Sequence, residues 1–178
     1  MKKSKLLLHI CCIGCGAYIS RMLQEDYDVS LFFCNPNIFP ESEYRLRLEE
    51  TEKIASQFGL DLIIGEYDHD NWLALVKGLE KEPERGGRCV ICYHDRLKKT
   101  AEYARKNGFD AFTTTLTVSP YKDALLISRL GKKLAEENGL IFLDNDFKKQ
   151  DGFKKACDLS KELKLYRQNY CGCEFSRK

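Results

Sequence analysis

Five short apolar runs alternate with helix-patterned stretches along this chain, and no other feature constrains the fold so strongly. The runs are 5–10, 29–34, 60–64, 111–116 and 140–143. The helical stretches between and after them are 15–24, 41–58, 71–79, 92–106, 119–138 and 148–163. In 41–58 the apolar positions Leu46, Leu48, Ile54 and Ala55 set the expected face, and Gly59 stops the helix. Asn107 and Gly108 close 92–106 in the same way, while Ser119 and Pro120 suit the N-cap and first position of the next helix. Such alternation predicts an α/β fold: a doubly wound, mainly parallel, five-stranded Rossmann-like sheet with helices on both faces. At 178 residues the chain is read as one domain, with the reversal between its two halves inside 67–91.

Sheets of this kind bind ligands beyond the carboxyl ends of their strands, near the switch in strand order. What the strands deliver there is unusual. The first gives Cys11, Cys12 and Cys15, in "LLLHICCIGCG", where a nucleotide-binding fold would carry glycines. The second gives Cys34, Asn35, Pro36 and Asn37. The fourth gives Thr113, Thr114, Thr115 and then Ser119, and the fifth gives Asp144, Asp146 and Lys148. Sulfur and polar chemistry are expected to converge on one edge.

The lysines and leucines at the start resemble a secretory leader, but His9 breaks the apolar run after Leu8, and Ile10 occupies the small-residue position before Cys11. The segment is read as a strand and the protein as cytoplasmic, with no membrane association. Nine cysteines in such a chain point to metal or redox chemistry, because reducing compartments disfavour structural disulfides.

The second sulfur pair is the C-x-x-C of "GGRCVICYHDRL", Cys89 and Cys92, at the opening of a helix. This spacing lets two thiolates reach one metal or cluster, with backbone N–H groups nearby to stabilise the charge. Together, Cys11, Cys12, Cys89 and Cys92 suit a [4Fe-4S] cluster, and tetrahedral zinc is the competing occupant. A third pair, Cys171 and Cys173, is separated by a single glycine. It reads either as a redox-active dithiol, whose disulfide would be strained, or as ligands of a second metal. Cys15, near a helix start, is a further ligand or reactive thiol. Cys34 and Cys157 read more simply as packing residues, and His9 as a buried, hydrogen-bonded imidazole.

Six stretches in this order, "LHICCIGC", "NPNIFPESEYRLR", "GGRCVICYHDRL", "FTTTLTVSPYKD", "FLDNDFKKQDG" and "YRQNYCGCEFS", resemble the epoxyqueuosine reductases of the QueH type from residue 8 to residue 176. The first departs from the family pattern by carrying Ile13–Gly14 in place of alanine–proline. The resemblance implies a nucleotide α-hydrolase-like sheet and a cobalamin-independent oxidoreductase of the last step of queuosine synthesis. That enzyme removes the epoxide oxygen of epoxyqueuosine in the anticodon of tRNA, with two electrons and two protons from a donor not identified by sequence. It implies the cluster on Cys11, Cys12, Cys89 and Cys92, and one additional iron or a redox disulfide at Cys15, Cys171 and Cys173. Asp146 or Tyr121 is the expected proton donor. Thr113, Thr114, Thr115, Ser119, Lys122, Lys148, Lys149, Arg167 and Gln168 are the expected contacts to a splayed-out base and its phosphates.

Charge agrees with an anionic partner. Residues 147–178 carry nine Lys/Arg against four Asp/Glu, a local +5 on a chain of net +2, and are read as a basic segment completing the site. Two other readings remain. An ATP-dependent tRNA-modifying enzyme of the pyrophosphatase-loop type shares the sheet but needs a Ser/Gly-rich loop where this chain has "CCIGCG". A zinc-stabilised RNA-binding module without catalysis would leave Cys171 and Cys173 without a role.

Overall fold

The structure, a computed structural model, describes residues 2–177. Its five strands form one parallel sheet: β1 (Lys5–His9), β2 (Asp28–Phe33), β3 (Asp61–Ile64), β4 (Ala111–Thr114) and β5 (Ile141–Phe142), in the order β3-β2-β1-β4-β5. β1 is central, with Leu7 opposite Ser30 on one side and Phe112 on the other. Its run Leu6–Leu7–Leu8 is fully buried, as expected of a strand covered on both faces. The order reverses between β1 and β4, so the ends of these two strands define the crevice.

One face is covered by α1 (Ile13–Leu23), α2 (Glu41–Phe58) and α6 (Gly152–Glu162), around a core of Leu6, Leu8, Ile19, Leu31 and Phe33. The other is covered by α4 (Gly87–Lys106) and α5 (Ala124–Asn138), around Leu7, Tyr93, Leu97, Phe112 and Leu134. The short α3 (His69–Leu75) lies in the reversal between β3 and α4 and buries Trp72 against Val76, Cys92 and Cys173. Among the described residues no helix is long and apolar enough to cross a membrane.

Three expectations are corrected. α5 does not begin at Ser119: Asp123 is its N-cap, accepting the Leu126 N–H at 3.0 Å, and 119–123 form a loop after a 3-10 turn at Thr115–Val118. α4 begins earlier, at Gly87, so both cysteines of the C-x-x-C lie inside its first two turns. α2 has the expected bounds and buries Ile54 and Ala55 as expected, but its buried face continues through Tyr44, Arg47, Glu50 and Thr51, while Leu46 is exposed. Arg47 is 1% exposed. A guanidinium so placed needs compensation, and the site supplies it.

Candidate metal centre

The turn after β1 is held from three sides. Asn35 Nδ2 donates to the Ile10 carbonyl at 2.8 Å, the Cys11 N–H donates to Thr115 Oγ1 at 3.2 Å, and the Ile10 N–H donates to Phe32 O at 2.9 Å. Beneath it His9 is fully buried, with Nδ1 2.9 Å from Thr114 Oγ1 and Nε2 3.1 Å from Cys34 O. Burial drives its pKa to about 3, so it is a neutral structural imidazole, as the sequence reading held. Cys12 then takes the extended N-cap position of α1, which leaves Cys15 in the first turn. Hydrogen bonding from Cys15, opposed by burial and helped by Arg47 and Gln168, draws Cys12 down to about 6, while Cys15 is pushed up.

Cys89 and Cys92 project from α4, where a spacing of three puts both on one side of the helix, but neither lines the cavity that opens at the crevice. Cys89 packs with the cluster that contains Cys11 and Tyr93. Cys92 packs with Trp72 and Cys173, and burial pushes it up to about 11. The third pair arrives from the far end of the chain. Gly172 sits at φ +125 with its carbonyl accepting the Phe39 N–H at 2.8 Å, and a Cβ there would lie 3.0 Å from Ile38 and 3.1 Å from Arg47. Its two neighbours face different ways. Cys171 Sγ lies 2.6 Å from Lys122 Nζ, and Cys173 turns into the Trp72–Cys92 cluster. All nine cysteines are free thiols here.

Buried cations surround these sulfurs. Arg96, fully buried on α4, places Nη1 3.5 Å from Cys11 Sγ and 3.3 Å from Asn35 Oδ1. Arg47 pairs with Glu43 at 2.7 Å and donates to the carbonyls of Cys171 and Tyr170, at 3.1 and 3.3 Å, which staples the C-terminal segment over the crevice. Against its burial, Lys122 and Arg96 hold Cys171 below the ordinary thiol range. Arg96 has no carboxylate partner among the described residues, and its Nη2 has no hydrogen bond at all. The Asn37 carboxamide is also buried without a partner, and so is the Trp72 indole N–H, which lies by the Cys92 sulfur. Orphaned donors on this scale are uncommon in folded proteins. Their common position around the thiols fits an anionic metal–thiolate group that supplies both charge and acceptors. Among the described residues no three Cys, His, Asp or Glu side chains converge tightly enough to hold a single ion.

The crevice opens as a cavity of about 680 Å³, within the range for small-molecule sites. Of the expected residues, Cys11, Cys12, Cys15, Cys171, Thr115, Ser119, Tyr121, Lys122, Arg167 and Gln168 line it. Thr113 and Thr114 do not. Their hydroxyls are held inside the sheet, Thr113 by Leu143 O at 2.8 Å and Thr114 by His9 and Leu116 N. Asp146, Lys148 and Lys149 line a second cavity, of about 500 Å³, which shares only Lys122 with the first. Cys34 is 1% exposed and packed against Gly65, a core residue. Cys157 accepts from Arg167 Nη2 at 3.1 Å.

Arg47, Arg96, Asn37 and Trp72 were not among the expected site residues. A signal for the arginines existed: each falls in phase with the buried stripe of its helix, Tyr44–Arg47–Thr51–Ile54 and Cys92–Arg96–Thr100, where a charge demands a partner.

Known proteins resemble this chain along most of its length. Residues 6–178 match the family model for "Epoxyqueuosine reductase QueH". The Haemophilus influenzae epoxyqueuosine reductase QueH is 41% identical over 175 residues, 97% of this chain and 71% of that protein. The Thermotoga maritima protein of the same name is 39% identical over 174 residues, 96% of this chain and 89% of the relative. Among solved structures, the U34-tRNA thiolase NcsA from Methanococcus maripaludis, with its [4Fe-4S] cluster, superposes with a TM-score of 0.66 at 14% identity. It matches 99% of this chain and 61% of its own, a likeness of fold. With family-wide sequence similarity along nearly its whole length, this chain belongs to the epoxyqueuosine reductase QueH family.

Proposed function

We propose that this chain reduces epoxyqueuosine in tRNA to queuosine, working in the cytoplasm as one domain whose segment 147–178 completes the site. The observation that carries the reading is the set of thiols Cys11, Cys12, Cys15 and Cys171 lining the larger cavity, with Arg96 beside Cys11 and Lys122 beside Cys171, in a chain of this family. Cys11, Cys12, Cys89 and Cys92 would hold a [4Fe-4S] cluster. Cys15, Cys171 and Cys173, which do not converge on one point and of which Cys171 and Cys173 face different ways, would have to be drawn together to hold an additional iron or serve as a dithiol. Bound there, an iron–sulfur cluster supplies electrons one at a time.

The reaction breaks both C–O bonds of the epoxide, forms a C=C bond and releases the oxygen as water. It consumes two electrons, from a separate reductant, and two protons. The chain's own residues have three tasks. Thr115 and Asn35 fix the turn that carries Cys11, which holds that sulfur's position. Arg167, Gln168 and Ser119 line the cavity and can orient the nucleoside by hydrogen bonds. Lys122 Nζ and the Tyr121 hydroxyl stand on the same wall and can each hold a proton for the leaving oxygen. Asp146 is separated from that wall by Lys122, so its part in proton delivery is the weaker.

Incubation of anaerobically prepared protein with epoxyqueuosine-bearing tRNA and a low-potential reductant, followed by nucleoside mass spectrometry, tests the reading. Loss of one oxygen mass from the modified nucleoside is expected. Unchanged epoxyqueuosine, with a reconstituted cluster present, would sink it.

A further inference from the structure

The second cavity lies alongside the first, and the loop 119–123 is the wall between them. Ser119 and Tyr121 face the larger cavity, Pro120 and Asp123 face the smaller, and Lys122 borders both. Arg85 pins this ridge from the smaller cavity's side, donating from Nε to Tyr121 O at 3.0 Å and from Nη2 to Pro120 O at 2.6 Å. The backbone under Tyr121 is therefore fixed, yet its side chain is 70% exposed, and Leu125 just beyond is 75% exposed. An aromatic ring exposed on a pinned ridge between two polar cavities offers a face on which a base can stack.

Charge in the smaller cavity is sorted. Asp144 is paired with Lys132 at 2.6 Å, Asp146 with Lys148 at 3.6 Å, and Asp123 is engaged as the α5 cap. Among the described residues Lys149 and Arg85 have no carboxylate partner, so the charge left at the rim is positive. Asp146 Oδ1, the oxygen 3.6 Å from Lys148 Nζ, is buried and accepts no hydrogen bond. A positive rim and an exposed ring on the dividing ridge form the pattern that recognises one unstacked nucleotide. The phosphate meets the cations, and a base face meets the ring.

We propose that the smaller cavity is a second nucleotide subsite. A single-stranded RNA loop would lie astride the ridge, its modified nucleotide in the larger cavity and an adjacent one in the smaller, with a base stacked on Tyr121. Asp146, Lys148 and Lys149 then read the neighbour of the reacting nucleotide instead of the reacting centre. This rests on the tRNA-directed reading above.

Binding of a fluorescently labelled anticodon stem-loop RNA, measured by anisotropy against salt on the iron-loaded protein, tests it. Tyr121→Ala is expected to weaken binding about 5- to 100-fold, as loss of one stacked base does. Tyr121→Phe keeps the ring and should stay within about threefold of wild type, because stacking does not need the hydroxyl. Lys149→Ala should lower the salt slope by about one unit, the signature of one lost phosphate contact. Wild-type affinity in Tyr121→Ala, or equal loss in the Ala and Phe variants, would overturn the subsite while leaving the reductase reading intact. A rate loss in Asp146→Asn at saturating RNA, with unchanged affinity, would also overturn it by returning Asp146 to the reacting centre. If wild-type protein binds no stem-loop, both readings fail. Iron content and thermal melting of each variant separate these outcomes from misfolding.

Discussion

The two cavities share a lysine and a wall but are built from opposite chemistry. Four thiols line the larger one, and behind Cys11, Arg96 lies fully buried with no carboxylate to answer it among the described residues. Around the smaller one, carboxylates meet ammonium groups at 2.6 and 3.6 Å in half-exposed pairs. Exposed pairs of that kind are nearly neutral in energy, because water already screens both partners. A buried lone guanidinium is costly unless an anion arrives. The larger cavity is therefore incomplete as protein alone, whereas the carboxylates of the smaller are already paired within the protein.

The largest effect should come from breaking the sulfur side. Cys92→Ser removes one expected ligand, and iron and sulfide content should fall close to zero, with deoxygenation reduced at least about 100-fold. Full iron content in that variant would move the cluster to other thiols. Arg96→Met sharpens the same comparison, because it removes charge while keeping most of the volume. Without metal, its melting temperature should hold or rise, since a partnerless buried charge is gone. With metal, cluster retention against a chelator should drop by about tenfold, the usual cost of losing an outer-shell partner. A parallel fall in apo stability would mean that Arg96 serves the fold alone.

The smallest effect concerns the ridge. Asp123→Ala removes the α5 cap and should cost about 1 kcal/mol in denaturant unfolding. Ser119→Ala, at the position where the sequence suggested the cap, should change stability by under about 0.5 kcal/mol. Equal costs would restore the longer helix.

That misplacement illustrates what was legible. Sheet, strand sequence and helix order followed from apolar periodicity, because β1, β2 and β4 are buried and their patterns are strong. The placing of Cys11, Cys12 and Cys15 also followed, since they run from the end of β1 into the start of α1, whereas Cys171 arrives from the C-terminal segment and Cys157 lies within α6. The cap did not follow. Ser119–Pro120 and Asp123 are both good helix openings, and only the 3-10 turn at Thr115–Val118 decides between them. Nor did the division of the polar residues into two cavities, which depends on the Arg85 clamp across 36 residues of sequence. Thr113 and Thr114 looked like ligands because they end a strand at the crevice, yet their hydroxyls are needed inside. The buried arginines were hidden by their type, as a charged residue on a helix is usually on its wet face.

The central claim is that sulfur at this sheet edge holds an iron–sulfur cluster. The most direct measurement is iron, acid-labile sulfide and zinc on one anaerobically purified sample, with its visible spectrum. About four irons and matching sulfide per chain, with a broad thiolate-to-iron absorbance, is the result predicted. Stoichiometric zinc without sulfide, persisting after anaerobic reconstitution with iron and sulfide, would contradict it.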